Sequence, residues 1–478
     1  MKPEAPGTGA VTRAEPDPST TRQRLLWFTE SAVVLAVVLP AMVVLTTEDA
    51  GRSTAWTLTL AILVWAGIRL SVIIAGGKPR LFEFIFWLFV YIFLGLAPTI
   101  QIRTAAVAST TKDMPASVDW PTALLVALSL IVFEAGRTLP AGRRTRAAGY
   151  RGGRLSPRWT WLLFAIGLAF LLYYVQSLGL ESFFQNREAR QEARSSSFED
   201  KSSGAIIGAL AWVPLLIAAG SFATMGRLRR AVPRARAYRI AAVVGVLAVL
   251  VVMNPISGAR YTSGTVMFAM LCYTGILTRK RLIRPLLGGL LAAFLLLFPI
   301  ADAFRRSEVS VGRTGFFSEY AGNGDYDAFW QIANSYLYIQ SEGPTWGRQA
   351  LGVLLFWVPR SLWTGKPDDT GLLLAGYRGY SFTNLSAPLW AEALINGGMV
   401  ALVATFLALG LLIVRLDRRL PQSLRSDSGL AIAASVFPAY MIILLRGSML
   451  QATGVFTIML LSIVLVSSGG KRDDAAAP

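Results

Sequence analysis

Apolar runs of about 20 residues recur from Trp27 to Ser467, separated by polar connectors in which Arg is frequent. Backbone placed in hydrocarbon must satisfy every N–H and C=O internally, so runs of this length and number dictate an all-α, polytopic membrane bundle. At about 20 residues per crossing, the spans fall near 27–46, 55–75, 81–102, 120–138, 159–178, 204–224, 238–253, 260–278, 284–300, 388–414, 429–445 and 449–467. The reading is therefore about twelve transmembrane helices. Helices 1 to 9 occupy 27–300, a large extracytoplasmic loop follows at 301–387, and helices 10 to 12 occupy 388–467. Residues 1–26, with Pro3, Pro6, Pro16 and Pro18, read as a disordered cytoplasmic tail, and 468–478 as a second tail. The first run is too long for a cleavable signal and has no small-x-small site before Thr46.

Charge assigns the sides. Of 46 Lys and Arg, 29 fall on connectors of one side, 16 on the other, and Arg69 lies within a span. The positive-inside rule then puts both termini in the cytoplasm. The net charge of +18 is accounted for mainly by this bias, so no nucleic-acid partner is called for. Arg69, near the inner end of its helix, reads as a snorkelling side chain.

Two absences narrow the chemistry. The chain has no His, which excludes imidazole bases and His-ligated metal sites, and one Cys, Cys272, which excludes internal disulfides and CxxC redox chemistry.

The outer connectors 179–203 and 301–387 exceed ordinary length, a mark of functional segments. The longer one holds Trp330, Trp346, Trp357 and Trp363 and is expected to fold on the membrane surface. Phe329, Ile332, Tyr336 and Ile339 recur at helical spacing and predict an amphipathic interfacial helix. The apolar stretch from Ala350 to Val358 is too short to span. It reads as re-entrant or interfacial, bringing Arg360 to headgroup height.

Cations gather here against the inward bias: Arg187, Arg190 and Arg194 in one loop, Arg260 at a helix mouth, then Arg305, Arg360 and Lys366 among others. Each can snorkel or pair with a carboxylate, or each can hold an anion. Arg260, in NPISGARYTSG, has no acidic neighbour in sequence and suits bidentate recognition of a phosphate or diphosphate. Asp325 and Asp327 invite a metal reading, but their place before a predicted helix is that of N-terminal carboxylates.

The stretch SGARYTSGTVMFAMLCYTGILTRKRLI resembles the small-x-Arg helix start of Wzy-type oligosaccharide repeat-unit polymerases, which build O-antigen and capsule polysaccharides. FRRSE at 304–308, VPRSLWTGKP at 358–367 and SAPLWAEALINGG at 386–398 follow in the same order, so the resemblance covers roughly 160–415. It implies a membrane glycosyltransferase that polymerises undecaprenyl-diphosphate-linked oligosaccharides on the outer face. No cofactor or metal is implied. Membrane lipids, a chain-length regulator and a flippase would accompany it. Such chemistry needs fixed cations at the departing diphosphate and a carboxylate at the attacking hydroxyl. The cation candidates are Arg187, Arg190, Arg260, Arg305, Arg360 and Lys366. The base candidates are Glu392, near the outer end of its span, which reads equally as a helix-bundle hydrogen bond, and second Glu319, which reads more readily as a solvated loop charge.

Two other readings stay open. A GT-C type transferase using polyprenyl-phosphate sugars carries an acidic pair after its first span, where this chain has Glu48 and Asp49. A flippase or exporter would move the lipid-linked glycan without chemistry, but wants charges along the bundle's depth. The related O-antigen ligases rely on a His that is missing here.

Overall fold

The computed structural model describes residues 18–139, 153–185, 187–198, 201–297 and 317–468. Among these the architecture is all-helical. The α-helical and π-helical elements include α1 (18–46, with a π-helical stretch Val33–Val38), α2 (Trp56–Gly76), α3 (Leu81–Arg103), α4 (Asp119–Thr138), α5 (Pro157–Leu178) and α6 (Arg187–Ser197). Then come α7 (Lys201–Leu228), α8 (Ala235–Val252), α9 (Arg260–Tyr273) and α10 (280–297). The long loop supplies α11 (Ala328–Ser341), α12 (Arg348–Leu354) and α13 (Thr370–Arg378), and the chain closes with α14 (Leu389–Ser423), α15 (Gly429–Arg446) and α16 (Met449–Ser467). Ten of the described helices are long and apolar enough to cross a membrane.

Most ends of these ten lie within four residues of the apolar runs that predict them. Two ends differ. Helix α1 starts at Pro18, so 18–26 is helical rather than a disordered tail; Pro at a first helical position is pre-set for the helix and loses no hydrogen bond there. Residues 1–17 and 469–478 lie outside the described residues. Helix α14 continues to Ser423, past the expected end, because its last turns turn Asp417 toward the start of α3, where it accepts from the amides of Phe82 and Glu83.

Burial sorts the helices. Every residue of α3 is buried, and its Phe84, Phe86, Trp87, Phe89 and Phe93 form the centre of one core. A helix apolar all round belongs inside, and α3 is that helix. By contrast α1 sits outermost and exposes Val33, Val34 and Val37, as a lipid-facing helix does. A second core forms around α7, with α5, α8, α9, α15 and α16 contributing.

Helices α4 and α14 cross at two glycines. A Cβ at Gly136 would run into the carbonyl of Leu407, and one at Gly410 into the carbonyl of Phe133. Small residues let membrane helices approach this closely. Gly136→Val and Gly410→Val are each expected to destabilise the bundle by about 1–3 kcal/mol through overpacking. Thermal unfolding in detergent checks this, and an unshifted Tm for both would contradict the crossing.

Two faces are distinct. One, here the basic face, joins the ends of the chain: Arg284 bonds Ala75 and Gln23, Arg229 bonds Leu155 and Asp427, and the Ser156 amide bonds Val466. Arg69 belongs to this side, and it does not simply snorkel. It pairs with Glu83 at 2.9 Å and Glu134 at 3.0 Å, because two carboxylates on neighbouring helices meet it within the bundle.

The opposite, loop face carries α6 and 317–388. There α11 departs from its expected interfacial position: Ala328 through Ser335 are all buried. Its polar residues tolerate burial because they are bonded. Trp330 donates to Gln101 at 2.8 Å, Gln331 to Asp327 at 3.1 Å, and Asn334 to Gln331 at 3.1 Å. The segment after α11 does lie outside, with Trp357 69% and Leu362 81% exposed. It is docked by a break in α14. Gly398 takes φ +59°, which glycine adopts without strain, and the carbonyls freed there at Ile395 and Asn396 accept the amides of Thr345 and Gly347.

Candidate functional site

Helix α6 places Arg187, Arg190 and Arg194 at spacings of three and four, hence on one helical face. All three line a cavity of about 370 Å³ on the loop face. Its other walls include Tyr174 of α5, Gly208 and Trp212 of α7, the turn Ser257–Ala259, and Ser448 and Gln451 at the start of α16. No Asp or Glu lines it. Arg190 is the most enclosed of the three, 8% exposed, donating to Ser257 at 3.1 Å and lying over the Phe183 ring at 4.7 Å. Burial pulls its pKa below the usual guanidinium range, though an Arg stays charged at any ordinary pH. The turn that receives it is held by Asn254, whose side chain donates to the Phe183 carbonyl and accepts the amides of Ile256 and Ser257.

Ala259 and Thr262 flank Arg260 on the cavity wall. Arg260 does meet a carboxylate, one the local sequence does not reveal: Asp325, at 3.2 Å. Asp325 also lies 3.4 Å from Arg446, which in turn lies 3.6 Å from Asp327 and sits over the Tyr261 ring at 4.9 Å. Asp327 accepts further from Thr110, Gln331 and Ser386. The result is an Arg–Asp–Arg–Asp chain that ties the long loop to α9 and α15. The two carboxylates therefore do more than complement a helix N-terminus, and guanidinium groups meet their charge. Among the described residues, no group of three or more Cys, Asp or Glu could hold a metal ion.

The remaining predicted residues are dispersed. Glu392 is buried in the first turn of α14 and does not line the cavity. Its carboxylate accepts from Thr370 at 2.8 Å and from the Met449 amide at 2.9 Å, so it joins the first turns of α13 and α16. Arg360 pairs with Asp368 at 2.6 Å, and Lys366 donates to the carbonyls of Phe356 and Val358, so both fasten the exposed lip after α12. Burial and the neighbouring Arg360 hold the Lys366 pKa below the usual ammonium range. Glu319 is half-buried and accepts from Asn323. Arg305 lies outside the described residues. Glu48 is exposed, and Asp49 pairs with Arg103 at 3.8 Å.

Sequence reading passes over Arg446 and gives Asp325 no role toward Arg260. The available signal at Arg446 is a cation alone between two spans, on the side that charge bias disfavours.

Glu392→Gln separates the two roles open to that residue. A clamp predicts a loss of about 1–3 kcal/mol, because an amide cannot accept at both positions. A base predicts a fall in kcat at constant Tm. The geometry favours the first outcome.

Compared with family models, curated proteins and solved structures, the chain matches none of them.

Proposed function

We propose that this chain is a bacterial membrane glycosyltransferase that polymerises lipid-diphosphate-linked oligosaccharide repeat units on the outer face of the plasma membrane. The observation that carries this reading is the cavity walled by Arg187, Arg190 and Arg194 and free of lining carboxylates. A site built this way suits an anion of high charge, and a planar guanidinium matches phosphate oxygens in pairs.

In the proposed transfer, the bond between the anomeric carbon and the diphosphate oxygen breaks as the acceptor sugar's hydroxyl oxygen bonds to that carbon. The polyprenyl diphosphate leaves with the electron pair. Fixed cations at the cavity stabilise the charge that develops on it. The acceptor's proton passes to a carboxylate. Both candidates have their oxygens engaged, but Asp325 is better placed than Glu392: its side chain is 29% exposed and pairs with Arg260 beside the cavity wall, whereas Glu392 is enclosed.

Twelve crossings with both termini cytoplasmic fit this arrangement. Helix α9 starts beside Asp325 on the loop face, and the residues just beyond its end line a cavity on the basic face. Helix α10 returns from there until Leu295, whose carbonyl accepts from the Tyr320 hydroxyl at 3.0 Å. Counting both as crossings places Gln23 and Val466 on one side, as the charge bias requires.

The test is purified protein in proteoliposomes with the lipid-linked repeat unit as sole substrate. The expected result is a ladder of longer glycans, undiminished by EDTA because guanidinium groups supply the positive charge. Unchanged single units would count against the proposal.

A further inference from the structure

A second cavity, about 890 Å³, opens on the basic face, at the opposite end of the bundle from α6. Eight Lys and Arg side chains line it against two carboxylates, Glu83 and Asp417. Both carboxylates are already engaged. Glu83 meets Arg69, Arg80 and Arg137 at 2.9, 3.7 and 2.7 Å, and Asp417 accepts the first amides of α3. What remains is Lys78, Lys280, Arg281, Arg284, Arg418 and Arg425, none with a carboxylate within 4 Å among the described residues.

These six come from three separate connectors: the turn after α2, the start of α10 and the end of α14. The positive-inside bias explains cations on such connectors but not their convergence on one cavity. The fold also builds the convergence. Gly77 ends α2 at φ +58°, and a Cβ there would meet Arg284 Nε at 3.0 Å, so this glycine admits Arg284 to the wall. Arg284 then bonds the Ala75 carbonyl at 3.2 Å. Like charges held around a concave surface raise its potential and concentrate anions there.

We propose that this cavity binds an anion carrying two or more phosphate charges. Two sources share that chemistry: a lipid headgroup with two phosphates in the adjoining leaflet and a soluble polyphosphate. Arg and Lys at helix ends by a membrane surface suit either one. The site is separate from the loop-face cavity and does not depend on the activity proposed for it.

The test is calorimetric titration of the full-length protein in neutral detergent with inorganic pyrophosphate, short-chain cardiolipin and short-chain phosphatidylcholine. Each is repeated in Arg190→Gln, which removes the loop-face cavity from the count. Saturable binding of pyrophosphate, retained in Arg190→Gln, supports the site with a soluble ligand. Binding of cardiolipin alone supports it with a lipid headgroup. In either case two double variants, Lys280→Gln with Arg281→Gln and Arg418→Gln with Arg425→Gln, should each weaken binding roughly tenfold or more at unchanged Tm without ligand. These side chains are exposed, so folding should survive their change. The proposal is overturned if neither anion binds, if phosphatidylcholine binds as tightly as cardiolipin, if binding vanishes in Arg190→Gln, or if both double variants bind like the parent.

Discussion

Arg190→Lys is expected to cut polymer formation by about 10² to 10³-fold, the scale of removing one fixed donor from a developing anion. The protein should still reach the membrane and elute as a single species. Lys keeps the charge but loses the planar fork and the reach that lets Arg190 bond Ser257 while facing the cavity. Arg187→Lys should lose less, because Arg187 is exposed at the mouth and water can replace part of its contact. Polymer yields measured against membrane-protein abundance test both. Parental yield in Arg190→Lys would remove the cavity from the chemistry.

The largest effect on stability is expected at Arg446. Changing it to Met leaves Asp327 buried without its guanidinium partner and Asp325 with one partner instead of two. Breaking a buried pair from one side costs about 3–5 kcal/mol, so Arg446→Met should fail to accumulate or should melt far below the parent. Adding Asp325→Asn and Asp327→Asn should recover part of the loss, since no charge is then stranded. A single Arg446→Met variant that melts with the parent would show that the Arg–Asp chain does not hold the loop to the bundle.

Spans were legible in the sequence because hydrocarbon imposes a length and a composition on any helix that crosses it. Even the burial of α3 has a signature, the aromatic run LFEFIFWLFVYIFLG, in which Glu83 is the one charge. The surface loop was less legible. The spacing of Phe329, Ile332, Tyr336 and Ile339 marks a helix correctly, but periodicity reports which residues are apolar and not whether the polar face finds partners. Gln331 and Asn334 find them in Asp327 and in each other, and α11 sinks into the bundle. The ion pairs were hidden for a related reason. Arg260 and Asp325 lie on different elements, and only the return of the loop over α9 and α15 brings them to 3.2 Å. At the cavity itself, the spacing of Arg187, Arg190 and Arg194 was readable from the chain, whereas the facing wall comes from the first turns of α16, near the end of the sequence. Glu392 carried the right signal, a lone carboxylate in a span, for a bond that holds helices together as much as for catalysis.

The central claim is a glycosyl transfer that expels a lipid diphosphate at the cationic cavity. Its most direct measurement is the lipid product formed by purified protein given only lipid-linked repeat units. The account predicts one polyprenyl diphosphate released for each unit added to the ladder, with release and ladder lost together in Arg190→Lys. Polyprenyl monophosphate as the product, or movement of intact lipid-linked units across the bilayer with no lipid released, would contradict it.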